Sequence, residues 1–493
     1  MARTPRGSQW KTLDSDLDRI SKVELATTHL SRSLVAPGIA LIFMLFAGIL
    51  GAVFFGGTPG GFVVIAAAVF GAYMAVNIGA NDVANNMGAA VGANALTMGG
   101  AIAIAALSES AGALLAGGDV VSTISKGIID PASFSDAQVF IWAMMSALIS
   151  SALWVNLATC IGAPVSTTHS VVGGVMGAGI AAAGFGAVDW GSMSMIAASW
   201  IISPLLGGVI AAAFLAFIKA RILYRDDKIA AARTWVPVLV GLMAAVFAVY
   251  LALKGLKKIV SVDMPLALAI GLVAGLAVYA LARPAVRRRS EGMENRNKSV
   301  KVLFGLPLVF SAALLSFAHG ANDVANAVGP LAAIVHAAEA GGIEAEVRIP
   351  LWVMIIGAFG ISFGLFLFGP KLIRMVGRQI TKLNPMRAYC VALSAAITVI
   401  VASWLGLPVS STHIAVGGVF GVGFYREWHM ERRLRRPDVR VSPVKRIAPE
   451  ERRRRRLVRR SHFLTIAAAW VITVPAAALI SAAVFLGLTF FAV

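Results

Sequence analysis

Val76-Asn77-Ile78-Gly79-Ala80-Asn81-Asp82-Val83-Ala84-Asn85-Asn86-Met87-Gly88 places one carboxylate and several amides inside an apolar run. Between Arg32 and Glu109, Asp82 is the only charged residue. An ionisable group deep in such a run costs a few kcal/mol at least, so it marks a substrate or ion pathway by default. The wording returns at Ala318-His319-Gly320-Ala321-Asn322-Asp323-Val324-Ala325-Asn326-Ala327-Val328-Gly329. A helix cap would need neither the amides nor the repeat, which argues against a purely structural Asp82 and Asp323.

Composition sets the class around this stretch. The 493 residues are 58% hydrophobic and 14% charged, with mean hydropathy +0.81, which is the profile of an all-α polytopic membrane protein. A bilayer core takes about 20 apolar residues per helix. The intervals 33–81, 137–188, 190–218, 234–253, 264–282, 349–370, 388–425 and 461–493 contain no Asp, Glu, Lys or Arg. Several hold two spans, so about 12 transmembrane segments are expected, including broken or re-entrant helices. The net charge of +19 does not point to nucleic acid, because the basic residues collect in short connections. Five Lys or Arg fall in 219–233, seven in 283–301 and fifteen in 425–460, and such loops stay on the cytoplasmic side. Cys160 and Cys390 both lie in apolar spans and read as small core residues.

A second motif follows the first. Gly162-Ala163-Pro164-Val165-Ser166-Thr167-Thr168-His169 recurs as Gly406-Leu407-Pro408-Val409-Ser410-Ser411-Thr412-His413, each opening a short Gly-rich helix. From Asp82 to Asp323 the offset is 241 residues, and from Thr168 to Thr412 it is 244. Motif order and spacing are therefore kept, and the chain is a duplicated module. A weaker echo relates Trp200-Ile201-Ile202-Ser203-Pro204 to Trp470-Val471-Ile472-Thr473-Val474-Pro475. After the second Ser/Thr helix comes the basic loop 425–460, whereas its counterpart 185–193 has no Lys or Arg. Equivalent points are thus expected on opposite sides of the membrane. An inverted-topology repeat with broken helices is how secondary transporters hold a substrate near the midplane.

This divides the chain into a basic cytoplasmic tail at 1–34, an extra N-terminal transmembrane helix at 35–61, and a first inverted repeat at 62–218. Cytoplasmic loops and a scaffold helix hairpin occupy 219–301. A second inverted repeat spans 302–493 and carries the loop 425–460. The Gly79 to Gly88 segment is expected to interrupt its helix with unwound backbone. Residues 119–136 read as a re-entrant or surface segment.

A Ser/Thr turn at a helix start offers hydroxyls, free backbone N–H groups and the positive end of the helix dipole, a recipe for an oxyanion. Asp82 and Asp323 would repel that anion, and neither motif holds a Lys or Arg. Cations must enter with it, and carboxylate, amide and hydroxyl oxygens suit hard ones. Asn81 with Asn85, and Asn322 with Asn326, share a helix face at i, i+4. His169 and His413 read as hydrogen-bonded supports of their turns. An intramembrane phosphate-processing enzyme would use the same turns but would want a nucleophile with an adjacent base. A channel would show its polar residues in symmetric rings.

These residues resemble the inorganic phosphate transporter (PiT) family of cation-coupled symporters. The resemblance covers roughly 62–493 and rests on both Asn-Asp motifs and both Ser/Thr turns. The segment Thr123-Ile124-Ser125-Lys126-Gly127-Ile128-Ile129-Asp130 is similar to one in the sodium-coupled branch. The resemblance implies sodium-coupled symport of inorganic phosphate across the cytoplasmic membrane by a homodimer in the lipid bilayer, with no cofactor and no nucleic acid. It implies Na+ ligands at Asn81, Asp82, Asn85, Asn322, Asp323 and Asn326, and phosphate ligands at Ser166, Thr167, Thr168, Ser410, Ser411 and Thr412. Glu109 falls where the family has a transport-critical acid. The second half lacks a counterpart: where the family has a polar Glu or Gln, sixteen residues before the second Pro-Val-Ser turn, this chain has Ala392. Proton-coupled transport of phosphate or metal phosphate, and transport of sulfate, remain as alternatives.

Overall fold

The computed structural model describes residues 34–58, 60–134, 136–161, 165–255, 262–340, 349–379, 383–434 and 460–492. The tail 1–33 and most of the basic loop, 435–459, lie outside the described residues. The first half comprises α1 (Leu34–Phe55), α2 (Gly61–Asn81), α3 (Val83–Gly92), α4 (Met98–Ala116), α5 (Gly118–Lys126), α6 (Ala137–Ile161), α7 (Thr167–Ala183) and α8 (Trp190–Ile218). A hairpin follows, α9 (Lys228–Lys254) and α10 (Met264–Arg289). The second half holds α11 (Asn297–Leu303), α12 (Gly305–Asp323), α13 (Ala325–Ala340), α14 (Leu351–Gln379), α15 (Pro385–Trp404), α16 (Ser411–Leu434) and α17 (Arg460–Ala492). Among the described residues, 11 helical stretches are long and apolar enough to cross a bilayer.

Polar residues start these helices where the chain turns. Thr97, Asp189, Asp227, Asp263 and Asn384 each accept a hydrogen bond from a backbone N–H in the first turn of the helix they precede, which satisfies one orphan donor. The outward faces are apolar. Ile201, Ile202, Leu205 and Val209 of α8, and Leu268, Leu272, Val273 and Leu276 of α10, are all exposed, as lipid-facing side chains must be. Buried polar side chains gather instead around the α2–α3 and α12–α13 junctions.

The halves interlock through glycines at equivalent positions. Gly79 packs against the carbonyl of Ile361 and Gly320 against that of Glu109; Gly364 meets Val76 and Gly112 meets Phe317. Likewise Gly173 and Gly177 meet Val474 and Ala478, while Gly417 and Gly421 meet Pro204 and Gly208. Each contact in one half has its partner in the other at the sequence offsets of the duplication. None of these sites leaves room for a Cβ, and such close approach is what small residues supply between helices in lipid. At the centre Ser110 and Ser362 share a hydrogen bond of 2.8 Å, and each hydroxyl also reaches the partner helix, at Ala358 O and Ala106 O. The structural counterpart of Glu109 is accordingly Ile361, one residue before Ser362, and not Ala392, which is buried on α15.

Two local expectations are corrected, on the first motif and on Cys160. The first motif does not unwind over Gly79 to Gly88, because Asp82 keeps αR angles and its N–H still reaches Ile78 O at 2.9 Å. The interruption is confined to Asp82, so amides on both sides stay in one helical register. Residues 118–126 form the helix α5, which packs on α13, and Thr123 Oγ1 donates to Gly406 O at 2.7 Å. Cys160 is exposed and only Cys390 is buried. The extra helix α1 lies on α14, with Phe43 stacked on Phe363 at 5.0 Å and Phe54 on Trp352 at 5.5 Å.

Two measurements check this architecture. Gly421→Ala is expected to lower the thermal midpoint in detergent, by the roughly 1–3 kcal/mol that overpacking costs, whereas Gly99→Ala, which meets nothing within 4 Å, leaves it unchanged or higher. In a Cys160→Ser background, cysteines introduced by Gly186→Cys and Ser442→Cys are expected to label from opposite sides of the membrane; labelling from one side rules out the inversion.

Candidate functional site: a cross-repeat hydroxyl and carboxylate cluster

The two kinks and the two Ser/Thr turns converge at the buried centre. Asp82 sits at the α2–α3 kink, where its carboxylate accepts from Thr167 Oγ1 at 2.8 Å and from Thr412 Oγ1 at 3.2 Å. One hydroxyl comes from each half. The amides complete the ring: Asn85 Nδ2 donates to Thr412 Oγ1 at 2.8 Å, and Asn326 Nδ2 donates to Thr168 Oγ1 at 3.2 Å and Thr167 Oγ1 at 3.3 Å. Thr168 Oγ1 itself donates to Val409 O at 3.1 Å. Ser166 and Ser410 begin their helices as caps, accepting from His169 N at 3.2 Å and His413 N at 3.4 Å.

The remaining motif asparagines brace the turns. Asn81 Nδ2 donates to Thr159 Oγ1 at 2.8 Å, and its equivalent Asn322 donates to Ser403 Oγ at 3.0 Å and Leu407 O at 3.1 Å. Asn322 Oδ1 accepts from Val409 N at 3.1 Å, so its amide is engaged at both ends and orients the second turn. Thr159 and Ser403 were not singled out by sequence reasoning. Their signal is a hydroxyl residue five positions before the proline of each turn.

A second cluster adjoins the first. His319 Nδ1 lies 2.6 Å from Glu109 Oε2, and Nε2 lies 3.0 Å from Asp323 Oδ2. Asn86 Nδ2 donates to the other oxygen of Glu109 at 3.0 Å. Asp82, His319 and Asp323 offer ligand atoms that all fall within 4.8 Å of one another. Glu109, His319 and Asp323 are fully buried or nearly so. Several buried polar atoms have no hydrogen-bond partner, namely Asp323 Oδ1, Asn326 Oδ1 and Ser411 Oγ. Each such atom costs about 1–3 kcal/mol, and two of the three can only accept, which suits a cation.

His169 does not brace its turn as expected. Its Nδ1 is buried without a partner, and its ring packs on Trp200 at 3.8 Å and beside His413 at 5.0 Å. Trp200, on which it packs, braces the second turn instead, donating from Nε1 to Pro408 O at 3.0 Å.

A bundle of membrane-spanning helices that buries paired carboxylates, amides and hydroxyls where its halves meet is a transporter of polar solutes. Residues 78–481 match the model of the phosphate transporter family. The chain belongs to that family. A "Putative phosphate permease" of Helicobacter pylori strain J99 is 52% identical over 424 residues, 85% of this chain and 80% of its own length. "Inorganic phosphate transporter 2-1, chloroplastic" of Arabidopsis thaliana is 40% identical, over 73% of this chain and 65% of its own. A solved structure described as "The sodium-dependent phosphate transporter" superposes with a TM-score of 0.77 at 34% identity, covering 87% of this chain and 99% of that one. These proteins are transporters and not enzymes, and phosphate is the substrate class of the family.

The hydroxyls differ in what they hold. Thr412→Val removes a hydroxyl that donates to Asp82 and accepts from Asn85 across the halves; phosphate affinity is expected to fall about ten- to a hundredfold, the 1.5–3 kcal/mol of a hydrogen bond to a charged group. Ser403→Ala leaves Asn322 bonded to Leu407 O and Val409 N, and its loss is expected to stay within about tenfold. Equilibrium phosphate binding to the purified variants checks both.

Proposed function

We propose that the chain couples inward movement of inorganic phosphate to sodium across the cytoplasmic membrane, with Asp82 as the exchange point between cation and anion. The observation that carries this reading is the pair of hydrogen bonds from Thr167 and Thr412 to the Asp82 carboxylate. Those two hydroxyls are the donors that a phosphate at the paired turns would need. A carboxylate and a phosphate compete for the same protons, so Asp82 stands in the anion's place. Two unit charges 4 Å apart repel by about 4 kcal/mol at an effective dielectric of 20. Phosphate therefore cannot replace Asp82 while Asp82 and Asp323 are uncompensated.

Sodium supplies the compensation. Ion capture by Asp82 and Asp323, with Asn85 and with the unpartnered Asn326 Oδ1, neutralises the carboxylates and releases Thr167 and Thr412 to the anion. Ser411 Oγ, buried without a partner, adds a donor from the second turn. Asn81 and Asn322 set the position of the turns. Oxygen ligands of this kind fit a hard monovalent ion, and the solved structural neighbour is, by its own description, sodium-dependent. The order is cation first, then anion, and the reverse on release. Carried with the resemblance is a homodimer of such chains, each with its own pathway, the division into inverted repeats serving to exchange access between the two sides.

Proteoliposomes test the coupling ion. An inward sodium gradient is expected to drive phosphate accumulation more strongly than a pH gradient of equal size, and Asp82→Asn is expected to nearly abolish it. Uptake driven equally well by pH without sodium would assign the chain to the proton-coupled alternative.

A further inference from the structure

The duplication departs from symmetry around one buried pair. Glu109 and His319 face each other at 2.6 Å, whereas the residues at the equivalent positions are Ile361 and Ile78, both fully buried. The asparagine contacts of the two halves, by contrast, are twinned, Asn81 with Thr159 by Asn322 with Ser403 and Asn85 with Thr412 by Asn326 with Thr168. An acid and a base have thus been placed on one side only, and neither is needed to hold the halves together, since the isoleucines pack at the twin position.

The arrangement around His319 is that of a metal ligand. Glu109 Oε2 accepts from Nδ1, and Glu109 is itself held through Oε1 by Asn86 Nδ2. In the neutral ring that a metal would bind, the proton sits on Nδ1 toward Glu109 and Nε2 presents its lone pair. Nε2 is buried and makes no aligned hydrogen bond, although Asp323 Oδ2 lies 3.0 Å away. Asp323 Oδ1 is also without a partner. A histidine that ligates a metal through one nitrogen almost always gives its other N–H to a carboxylate in this way. Two ligands 3.0 Å apart span adjacent corners of a coordination shell with bonds of about 2.1 Å. Asp82 closes the set within 4.8 Å and needs only a small inward shift to join the shell.

We infer that Asp82, His319 and Asp323, with Glu109 orienting His319, form a binding site for one divalent transition-metal ion per chain. One imidazole nitrogen and two carboxylates suit zinc, cobalt or manganese, whereas the all-oxygen neighbourhood of Asn85 and Asn326 suits sodium. Because Asp82 and Asp323 belong to both sets, the metal and the coupling cation compete. The metal also draws Asp82 from Thr167 and Thr412. The inference shares two residues with the sodium reading but does not require that sodium be the coupling ion.

The test uses full-length protein purified without a polyhistidine tag, in a Cys160→Ser background so that the exposed thiol takes no metal. Cobalt(II) added to this protein is expected to give a visible d–d absorption band saturating at one ion per chain, displaced by zinc and by high sodium. His319→Gln should lose the band. Glu109→Gln should keep it with affinity about 10- to 100-fold weaker, the usual cost of removing an outer carboxylate. If His319→Gln fails to fold, as judged by its thermal transition, the Glu109→Gln shift decides alone. Absence of the band in the parent protein, or an unchanged band in a folded His319→Gln, overturns the inference and makes His319 an ionic bridge between two acids. Sodium-driven phosphate uptake in the same preparation separates the two claims: uptake without a band sinks only the metal site, and a band without uptake sinks only the sodium reading.

Discussion

The carboxylate of Asp82 binds one hydroxyl from each half of the chain, and the rest of the architecture serves that contact. A buried carboxylate is tolerated only when its oxygens are satisfied, and here satisfaction requires α7 and α16 to present their first turns to the same point. The reciprocal glycines between α2 and α14, α4 and α12, α7 and α17, and α8 and α16 set that register to within the thickness of a missing methyl group. The near-continuous helix at Asp82 has the same purpose. Had the backbone unwound from Gly79 to Gly88, Asn81, Asp82 and Asn85 would not share a face aimed at Thr159, Thr167 and Thr412.

Symmetry and its breaking have separate consequences. Asn81 with Thr159 is matched by Asn322 with Ser403, and Asn85 with Thr412 by Asn326 with Thr168. These pairs build a cradle to which both halves contribute alike. Asp323 is not the mirror of Asp82, because its oxygen meets His319 while its other oxygen has no partner. The two carboxylates therefore do different work. Asp82 accepts from two turn hydroxyls, and Asp323 faces the ionisable pair that Ile78 and Ile361 replace on the other side.

Much of this was legible in the sequence, for identifiable reasons. A carboxylate in an apolar run is costly enough to be functional, and a motif repeated at a fixed offset announces a duplication, so Asp82, Asp323, Thr167 and Thr412 could be named directly. Partners set by helix packing could not. Glu109 pairs with His319 because α4 lies on α12, and the residue at its equivalent position is Ile361 because Ser110 meets Ser362; the resemblance had pointed to Ala392 as the place where the second acid is missing. The kink looked like unwound backbone because Gly and Asn permit it, but nothing in residue type says that the Asp82 N–H keeps its bond to Ile78 O. His169 was assigned to its turn by proximity in sequence, whereas its ring packs on Trp200, which bonds Pro408 of the other turn.

If Asp82 occupies the anion's donors until a cation draws it away, sodium must raise equilibrium affinity for phosphate even with no membrane and no gradient. Titrating phosphate into purified protein, once in sodium buffer and once with sodium replaced by choline, measures this directly. The account predicts that affinity falls at least about tenfold without sodium, within the usual range of coupling between linked sites, and that Asp82→Asn narrows the difference. Equal phosphate affinity in the two buffers would contradict it, since Thr167 and Thr412 would then be available to the anion whatever the state of Asp82.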